Sequence, residues 1–237
     1  MVRSKWSKVR GATRAALVPT LWLCAAGIAR AEPMVYHPTP APEGSSSVHV
    51  TLPYTFGTHN LDARALQGEV RVDWRAAPVV TGRLTLPLAS LRGGGDTLNC
   101  HMREAMGLDY SRSAFPREHV CSDGKLPAAC NDAVAFPDIT FEIQRIVVDP
   151  AHARSGEYDV WRASAVGRWT IHGVTRDDRI ELRLTLPVNE TAHPRWVQVD
   201  GERKIRLADY GIQVKRALVI TAGDTATLRL SFLLRTQ

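Results

Sequence analysis

The sequence predicts an all-β protein, a single up-and-down antiparallel β-barrel of about eight strands with one short helix and a long inserted loop. Two features of the sequence lead to this fold. After residue 47, apolar and polar residues alternate with period two in one segment after another, as they do in strands that bury one face. Only one segment has helical periodicity, so repeated β-α units are not expected.

Each alternating segment places its apolar residues on one side. Half-buried strands of this kind are typical of antiparallel sheets. A sheet of about eight strands can close into a barrel, which leaves no free edge and a lumen wide enough for one small ligand. The alternating segments are residues 48–56, 66–75, 83–88, 139–144, 161–172, 180–188, 205–207 and 226–234.

The predicted helix begins near residue 96. Asp96 is suited to cap its N-terminus, and Gly107 is suited to end it. A long irregular segment, residues 110–135, follows the helix and forms the inserted loop. The apolar stripe of the helix, at positions i, i+4, i+7 and i+8, consists of Leu98, Met102, Ala105 and Met106.

Residues 1–31 have the features of a secretory signal peptide. Basic residues precede an apolar run over residues 15–29, and Ala29-Arg30-Ala31 offers small residues at the two positions that a signal peptidase reads. The run is too short for a stable membrane span, and no second apolar run follows. We therefore expect cleavage after Ala31 and a periplasmic or secreted mature protein without an integral membrane span.

Removal of this segment changes the charge of the protein. Six of the 30 Lys and Arg residues, and none of the 24 Asp and Glu residues, lie within residues 1–31. The remaining chain has 24 basic and 24 acidic residues and a formal net charge of zero. This balance gives no support to nucleic acid or an anionic membrane as a partner.

The mature chain is predicted to be one domain. Residues 32–47 contain four prolines, a glycine and three consecutive serines, a composition typical of a flexible lead-in. The barrel domain is expected over residues 48–237. Nothing in the sequence indicates an oligomeric state.

Three cysteines remain after processing: Cys100, Cys121 and Cys130. An oxidising compartment favours disulfides, and an odd number leaves one thiol over. We expect a Cys100–Cys121 disulfide that holds the inserted loop, with Cys121–Cys130 as the alternative pair. The cysteines have no CxxC spacing and the eight histidines have no HxxxH spacing, so neither a metal nor a cofactor is expected.

The apolar strand faces supply the candidate ligand-binding residues. Their large side chains either fill a dry core or line a cavity, and alternation alone fits both arrangements. Small residues on these faces, Gly68, Ala163, Ala165 and Gly167, favour open space beside the tryptophans. The candidate lumen residues are Trp74, Leu84, Leu86, Phe141, Ile143, Trp161, Trp169, Ile171, Leu182, Leu184, Leu228 and Phe232.

Three segments resemble the YceI-like family of periplasmic, lipocalin-like proteins. Residues 136–142, FPDITFE, are similar to a proline-containing strand of that family, and residues 167–175, GRWTIHGVT, are similar to its G-x-L-T-x-x-G-V-T hairpin. Residues 205–212, IRLADYGI, are similar to its I-x-R-x-D-F-G-I segment. The three segments follow in the family's order, and the likeness extends over residues 48–235.

The resemblance implies a lipocalin-like carrier that holds a polyisoprenoid or another long-chain lipid in its lumen and is not an enzyme. Two alternatives stay open. One is a small periplasmic hydrolase or redox accessory protein that uses His101 and a free cysteine. The other is a ligand-free structural subunit with a filled barrel.

Overall fold

The computed structural model describes residues 32–40, 47–74, 79–107, 134–190, 193–213 and 222–236. The predicted signal peptide, most of the inserted loop, Cys121 and Cys130 lie outside the described residues. Within the described ranges no helix has the length and hydrophobicity needed to cross a bilayer.

The described chain is built almost entirely from antiparallel strands. The helix α1 spans Asp96–Ala105, and short 3₁₀ turns span Leu88–Ser90, Val188–Glu190 and Leu207–Tyr210. The strands are β1 Met34–Pro40, β2 Val48–Tyr54, β3 Gly57–Ala63, β4 Gln67–Asp73, β5 Val79–Pro87, β6 Arg92–Gly93, β7 Asp138–Ser155, β8 Tyr158–Ile171, β9 Val174–Pro187, β10 Trp196–Arg206 and β11 Thr225–Thr236.

Eight of these strands form a closed ring. Its hydrogen-bonded order is β1-β4-β5-β7-β8-β9-β10-β11, and β11 pairs with β1 to complete the circle. Every pairing in the ring is antiparallel. The structure confirms the predicted all-β barrel of about eight strands, and its described residues contain one α-helix.

Two different strands share one edge of β11. The C-terminal half of β11, from Phe232 to Thr236, pairs with β1. The N-terminal half, from Thr227 to Leu230, pairs with β2, which continues into β3 and then β6. The β2–β3 hairpin therefore extends the wall at one end of the barrel, whereas β1 closes the other end.

The prediction of a flexible lead-in over residues 32–47 was wrong for its first part, because Met34–Pro40 is strand β1. Tyr36, in its centre, is fully buried. The Tyr36 hydroxyl donates a hydrogen bond to the carbonyl oxygen of Pro194 (2.6 Å) and accepts one from Nε1 of Trp74 (2.8 Å). Pairing with β4 ends at Tyr36, so the prolines that follow meet a strand only on the β11 side. Prolines are tolerated at such an edge.

The helix differs from the prediction only at its first residue. Gly95 occupies the N-cap, and Asp96 lies in the first turn without a side-chain capping hydrogen bond. Asp96 is still favourable there, because a negative charge near a helix N-terminus interacts well with the helix dipole. Gly107 follows the helix with φ +85°, as a glycine after a helix C-terminus commonly does.

Candidate ligand-binding cavity

One half of the barrel lumen is an open cavity of about 1170 Å³. This volume exceeds the range of roughly 300–1,000 Å³ that is usual for pockets that bind drug-sized ligands. The cavity lies between β2, β3, the C-terminal half of β5, the adjoining ends of β7 to β11, and α1. Its walls are mainly Leu, Ile, Val and Met side chains, which leaves the interior apolar.

The other half of the lumen is filled by side chains. Tyr36, Val72, Val199, Phe232 and Leu234 are buried there and pack in one continuous core. Trp74 packs against the same core, and its ring meets the ring of Tyr36 edge-on at 6.3 Å. The barrel therefore combines a solid end with a hollow end.

Two aromatic rings mark the boundary between the halves on the β7–β8 side. Phe141 and Trp169 are cross-strand partners with ring centroids 4.7 Å apart, and both line the cavity. The next pair inward, Ile143 and Gly167, does not line it. The Phe141–Trp169 pair thus forms the floor of the cavity at this point.

The helix α1 covers one side of the cavity. Its predicted apolar stripe faces inward as expected, since Leu98, Met102, Ala105 and Met106 all line the cavity. Close contact between the helix and β3 depends on Gly93. A Cβ atom at Gly93 would lie 2.5 Å from the Leu98 side chain and 2.8 Å from the Leu61 side chain.

Exposed residues among the lining mark the mouth of the cavity. They are Gly94, Gly95, His101, Gly211 and Gln213. The side chains of His101 and Gln213 and the backbone of the three glycines thus lie at this opening, while most of the remaining lining is hydrocarbon. A ligand with an apolar chain and a polar end would fit with the chain inside and the polar end at the mouth.

Two histidines stand at the mouth. The ring of His59 stacks on Tyr54 with centroids 4.1 Å apart, and Nδ1 of His101 lies 3.4 Å from Oε2 of Glu104. Burial lowers the pKa of His59, and the nearby His101 lowers that pKa further. His59 is therefore uncharged at neutral pH and able both to donate and to accept a hydrogen bond.

A tight turn between β8 and β9 forms another part of the rim. His172 and Gly173 both have positive φ, +50° and +74°. The His172 ring lies edge-on to Phe136 at 4.7 Å, and its Nδ1 is 3.1 Å from the carbonyl oxygen of Tyr210. A side chain at Gly173 would collide with Phe136, which explains the glycine in this turn.

Comparison with a family model identifies the fold. The model of the YceI-like domain matches residues 42–234. The chain belongs to the YceI-like family. No curated protein matches it.

Solved structures share the fold of this YceI-like chain over most of their length. BcnA of Burkholderia cenocepacia is 14% identical, with a TM-score of 0.50 over 78% of this chain and 95% of BcnA. A polyisoprenoid binding domain from Saccharophagus degradans, implicated in plant cell wall breakdown, is 13% identical. Its TM-score is 0.51 over 86% of this chain and 99% of that domain. At such identities the likeness shows the fold alone.

Half of the predicted lumen residues of this YceI-like barrel line the cavity. They are Leu84, Leu86, Phe141, Trp169, Ile171 and Leu228. The other six lie elsewhere. They are Trp74, Ile143, Trp161, Leu182, Leu184 and Phe232, none of which lines the cavity. The Trp161 ring stacks on His152 with centroids 4.3 Å apart. The alternation of apolar residues predicts which face of a strand a side chain lies on. It does not predict how far along the barrel axis the side chain lies.

The expectation that small residues leave open space was wrong. Gly68 is exposed, and a side chain at Gly68 would collide with the carbonyl oxygen of Arg83 on the neighbouring strand. At Gly167 the obstacle is the carbonyl oxygen of Glu142. Both glycines permit close approach of two backbones. Ala163 and Ala165 are buried outside the cavity lining.

The prediction omitted the wall formed by the β2–β3 hairpin. Val50, Leu52, Tyr54 and His59 line the cavity on this side. The first three already stood out on the apolar face of residues 48–56, so the alternation was a sufficient signal for them. His59 carried no such signal, because a polar residue at a cavity mouth breaks the pattern.

The predicted disulfide lies partly outside the described residues. Cys100 is fully buried on α1, while its neighbour His101 is exposed at the mouth. Because Cys121 lies outside the described residues, the Cys100–Cys121 disulfide stays a prediction. Among the residues that the structure describes, no three His, Cys, Asp or Glu side chains lie close enough to hold a metal ion.

Proposed function

We propose that this protein holds one long apolar chain, of a polyisoprenoid or another long-chain lipid, in the cavity beneath α1. The observation that carries this proposal is an apolar cavity of about 1170 Å³ with the side chains of His101 and Gln213 at its mouth. Burial of a dozen methylenes would contribute roughly 10 kcal/mol before the cost of ordering the ligand. The description of the Saccharophagus degradans domain as polyisoprenoid binding supports the same class of ligand.

The proposed role is that of a carrier without catalytic turnover. His101 is exposed and interacts with Glu104, whereas the adjacent Cys100 is fully buried. Cys100 is disulfide-bonded, so it offers no thiol that a neighbouring histidine could activate. If the protein is an enzyme using His101, a His101→Ala variant will lose turnover while it still binds a prenyl chain.

The proposed location is the periplasm, after cleavage of residues 1–31. The support is the basic start, the short apolar run and the Ala29-Arg30-Ala31 exit in the sequence. The intact mass of the exported protein tests this proposal, and an N-terminus at Glu32 is the expected result. A lipid adduct or a retained Met1 would contradict it.

Native mass spectrometry of gently purified protein tests the binding function directly. We expect a co-purified lipid, or uptake of one prenyl chain per protein when the chain is added. Ala226 lines the cavity and is buried, so Ala226→Phe fills the space where the ligand would lie.

We expect Ala226→Phe to fold and to lose binding of the prenyl chain. Thr227→Phe places the same ring on the opposite face of β11 and is the matched control, with binding retained. A wild-type protein that takes up no prenyl or fatty chain would refute the proposed function.

A further inference from the structure

An exposed phenylalanine lies at the tip of the β2–β3 hairpin. Tyr54 pairs with Gly57, so that Thr55 and Phe56 form a two-residue turn. Phe56 is 67% exposed, the highest value among the large apolar residues in the described part of the chain. A ring in this position contacts water over most of its surface, although it would be more stable in an apolar environment.

The turn directly adjoins the mouth of the cavity. Tyr54, on one side of it, and His59, just beyond it on the other strand, both line the cavity. Their rings stack on each other, and the ring of Tyr54 also lies 3.6 Å from the Cβ position of Gly57. His101, on α1, lines the same cavity as His59.

The hairpin tip is uncharged. Residues 51–60, TLPYTFGTHN, contain no Lys, Arg, Asp or Glu, although these residues make up 23% of the chain. Pro53, Thr55, Gly57 and Thr58 are exposed around Phe56. Uncharged surface around an aromatic ring can enter the boundary between lipid headgroups and acyl chains without leaving a charge desolvated.

Near its tip the hairpin has few backbone partners among the described residues, and one of them is a hydrogen bond from the Gly223 N–H to the Pro53 carbonyl oxygen (2.7 Å). β2 pairs with β11 only from Val48 to Thr51, followed by a single bridge between Tyr54 and Ala222. On its other side the hairpin pairs with β6 only at Leu61 and Asp62. Among the described residues, Phe56 therefore takes no part in strand pairing, and most of its ring surface is exposed.

We propose that this tip docks on a lipid bilayer, with Phe56 inserted at the interface, when the cavity is loaded or emptied. The inference rests on the proposed function, because a long apolar ligand has very little solubility in water. Contact between the mouth and the bilayer would let the chain pass between two apolar environments without crossing water.

The test uses phosphatidylcholine vesicles that contain a fluorescent anthranilate ester of geranylgeraniol. Energy transfer to the anthranilate from the tryptophans of the barrel, of which Trp169 lines the cavity, reports entry of the probe. We expect the transfer rate of the wild-type protein to rise with vesicle concentration. Phe56→Ser should lower the rate roughly tenfold, since the insertion of one phenylalanine contributes about that factor.

Val79→Ser is the matched control, because Val79 is 62% exposed and lies at the solid end of the barrel, away from the cavity lining. It should transfer the probe at the wild-type rate. Affinity for the probe in detergent micelles should be the same for all three proteins, since neither substitution touches the cavity.

Three results would overturn the docking proposal. They are a Phe56→Ser rate equal to the wild-type rate, an equal loss in Val79→Ser, and a transfer rate independent of vesicle concentration. The second would show that the loss is not specific to the hairpin tip, and the third would show that the probe passes through water instead of by contact with the bilayer. Failure of the wild-type protein to bind the probe in detergent would instead overturn the proposed function itself.

Discussion

Phe141 and Trp169 face each other across β7 and β8 with their ring centroids 4.7 Å apart, at the level where the hollow half of the barrel meets the solid half. Both rings are nearly fully buried. A ligand chain that enters at the mouth would stop against them on this side. The pair therefore limits how far an apolar chain can reach into the lumen.

A charge at this floor should abolish binding. Trp169→Arg places a guanidinium in an apolar site where it has no partner, so we expect loss of prenyl-chain binding and a decrease of several kcal/mol in the free energy of unfolding. Thr170→Arg, on the opposite face of β8, is the control and should change both quantities little. Urea unfolding and native mass spectrometry measure the two effects. Full binding by Trp169→Arg would contradict the assigned floor.

The contact between α1 and β3 should depend on the absence of a side chain at Gly93. Gly93→Ala brings a methyl group against Leu61 and Leu98, and we expect a loss of about 1–3 kcal/mol in stability. Gly94→Ala is the neighbouring control, since nothing lies within 4 Å of a Cβ atom at that position. Thermal unfolding of the two variants distinguishes them. Equal melting temperatures would show that the helix can move away from the added methyl group without a loss of stability.

Removal of the Tyr36 hydroxyl should weaken the closure of the barrel at its solid end. In Tyr36→Phe the carbonyl oxygen of Pro194 and Nε1 of Trp74 each lose their hydrogen-bond partner, which costs about 1–3 kcal/mol. Tyr158→Phe, at a ring 43% exposed, removes the same atom at little cost. Denaturant unfolding measures both. Prenyl-chain binding should be retained in both variants, because neither residue lines the cavity.

Acid should destabilise the protein partly through His59. Burial and His101 lower the pKa of His59 in the folded protein below its ordinary value of 6.5, so the unfolded chain takes up the proton at a higher pH than the folded protein does. The free energy of unfolding therefore decreases as the pH falls from 6.5 through the lowered pKa of folded His59. We expect His59→Gln to lose less stability than the wild type between about pH 7 and about pH 5. NMR titration of His59 checks the direction of the shift, and a raised pKa would contradict it.

The expected Cys100–Cys121 disulfide closes a loop of about 20 residues and should stabilise the protein by about 3 kcal/mol. Peptide mapping without reduction should recover the two cysteines in one linked peptide, with Cys130 alkylated. A linked Cys121–Cys130 peptide would show that the alternative pairing is correct.

The sequence predicts which residues face inward far better than how deep they lie. Period-two alternation placed Leu84 and Phe232 on the inner face alike, yet Leu84 lines the cavity and Phe232 packs the solid end. Depth depends on the register between strands, which is set by pairings such as those of β11 with β1 and β2. These contacts are distant in sequence and leave no local pattern.

Strand β1 could not be predicted for a different reason. Its prolines and its position beside a serine-rich stretch are typical of a linker, and local composition reports nothing of a partner nearly 200 residues away. Tyr36 is the one Phe, Tyr or Trp residue in this segment. Its burial depends on a hydrogen bond to Pro194, which is far along the chain.

Strands β1 and β2 pair with different halves of one edge of β11, so substitutions near each of them affect different properties of the protein. Substitutions in the β2–β3 hairpin reshape the cavity wall and mouth, whereas closure of the ring rests on β1 and on the packed residues around Tyr36. Substitutions in the β2–β3 hairpin can therefore change ligand preference while β1 and the residues around Tyr36 keep the barrel folded. Descendants of one barrel could in this way specialise for different lipids without first acquiring compensating mutations in the core.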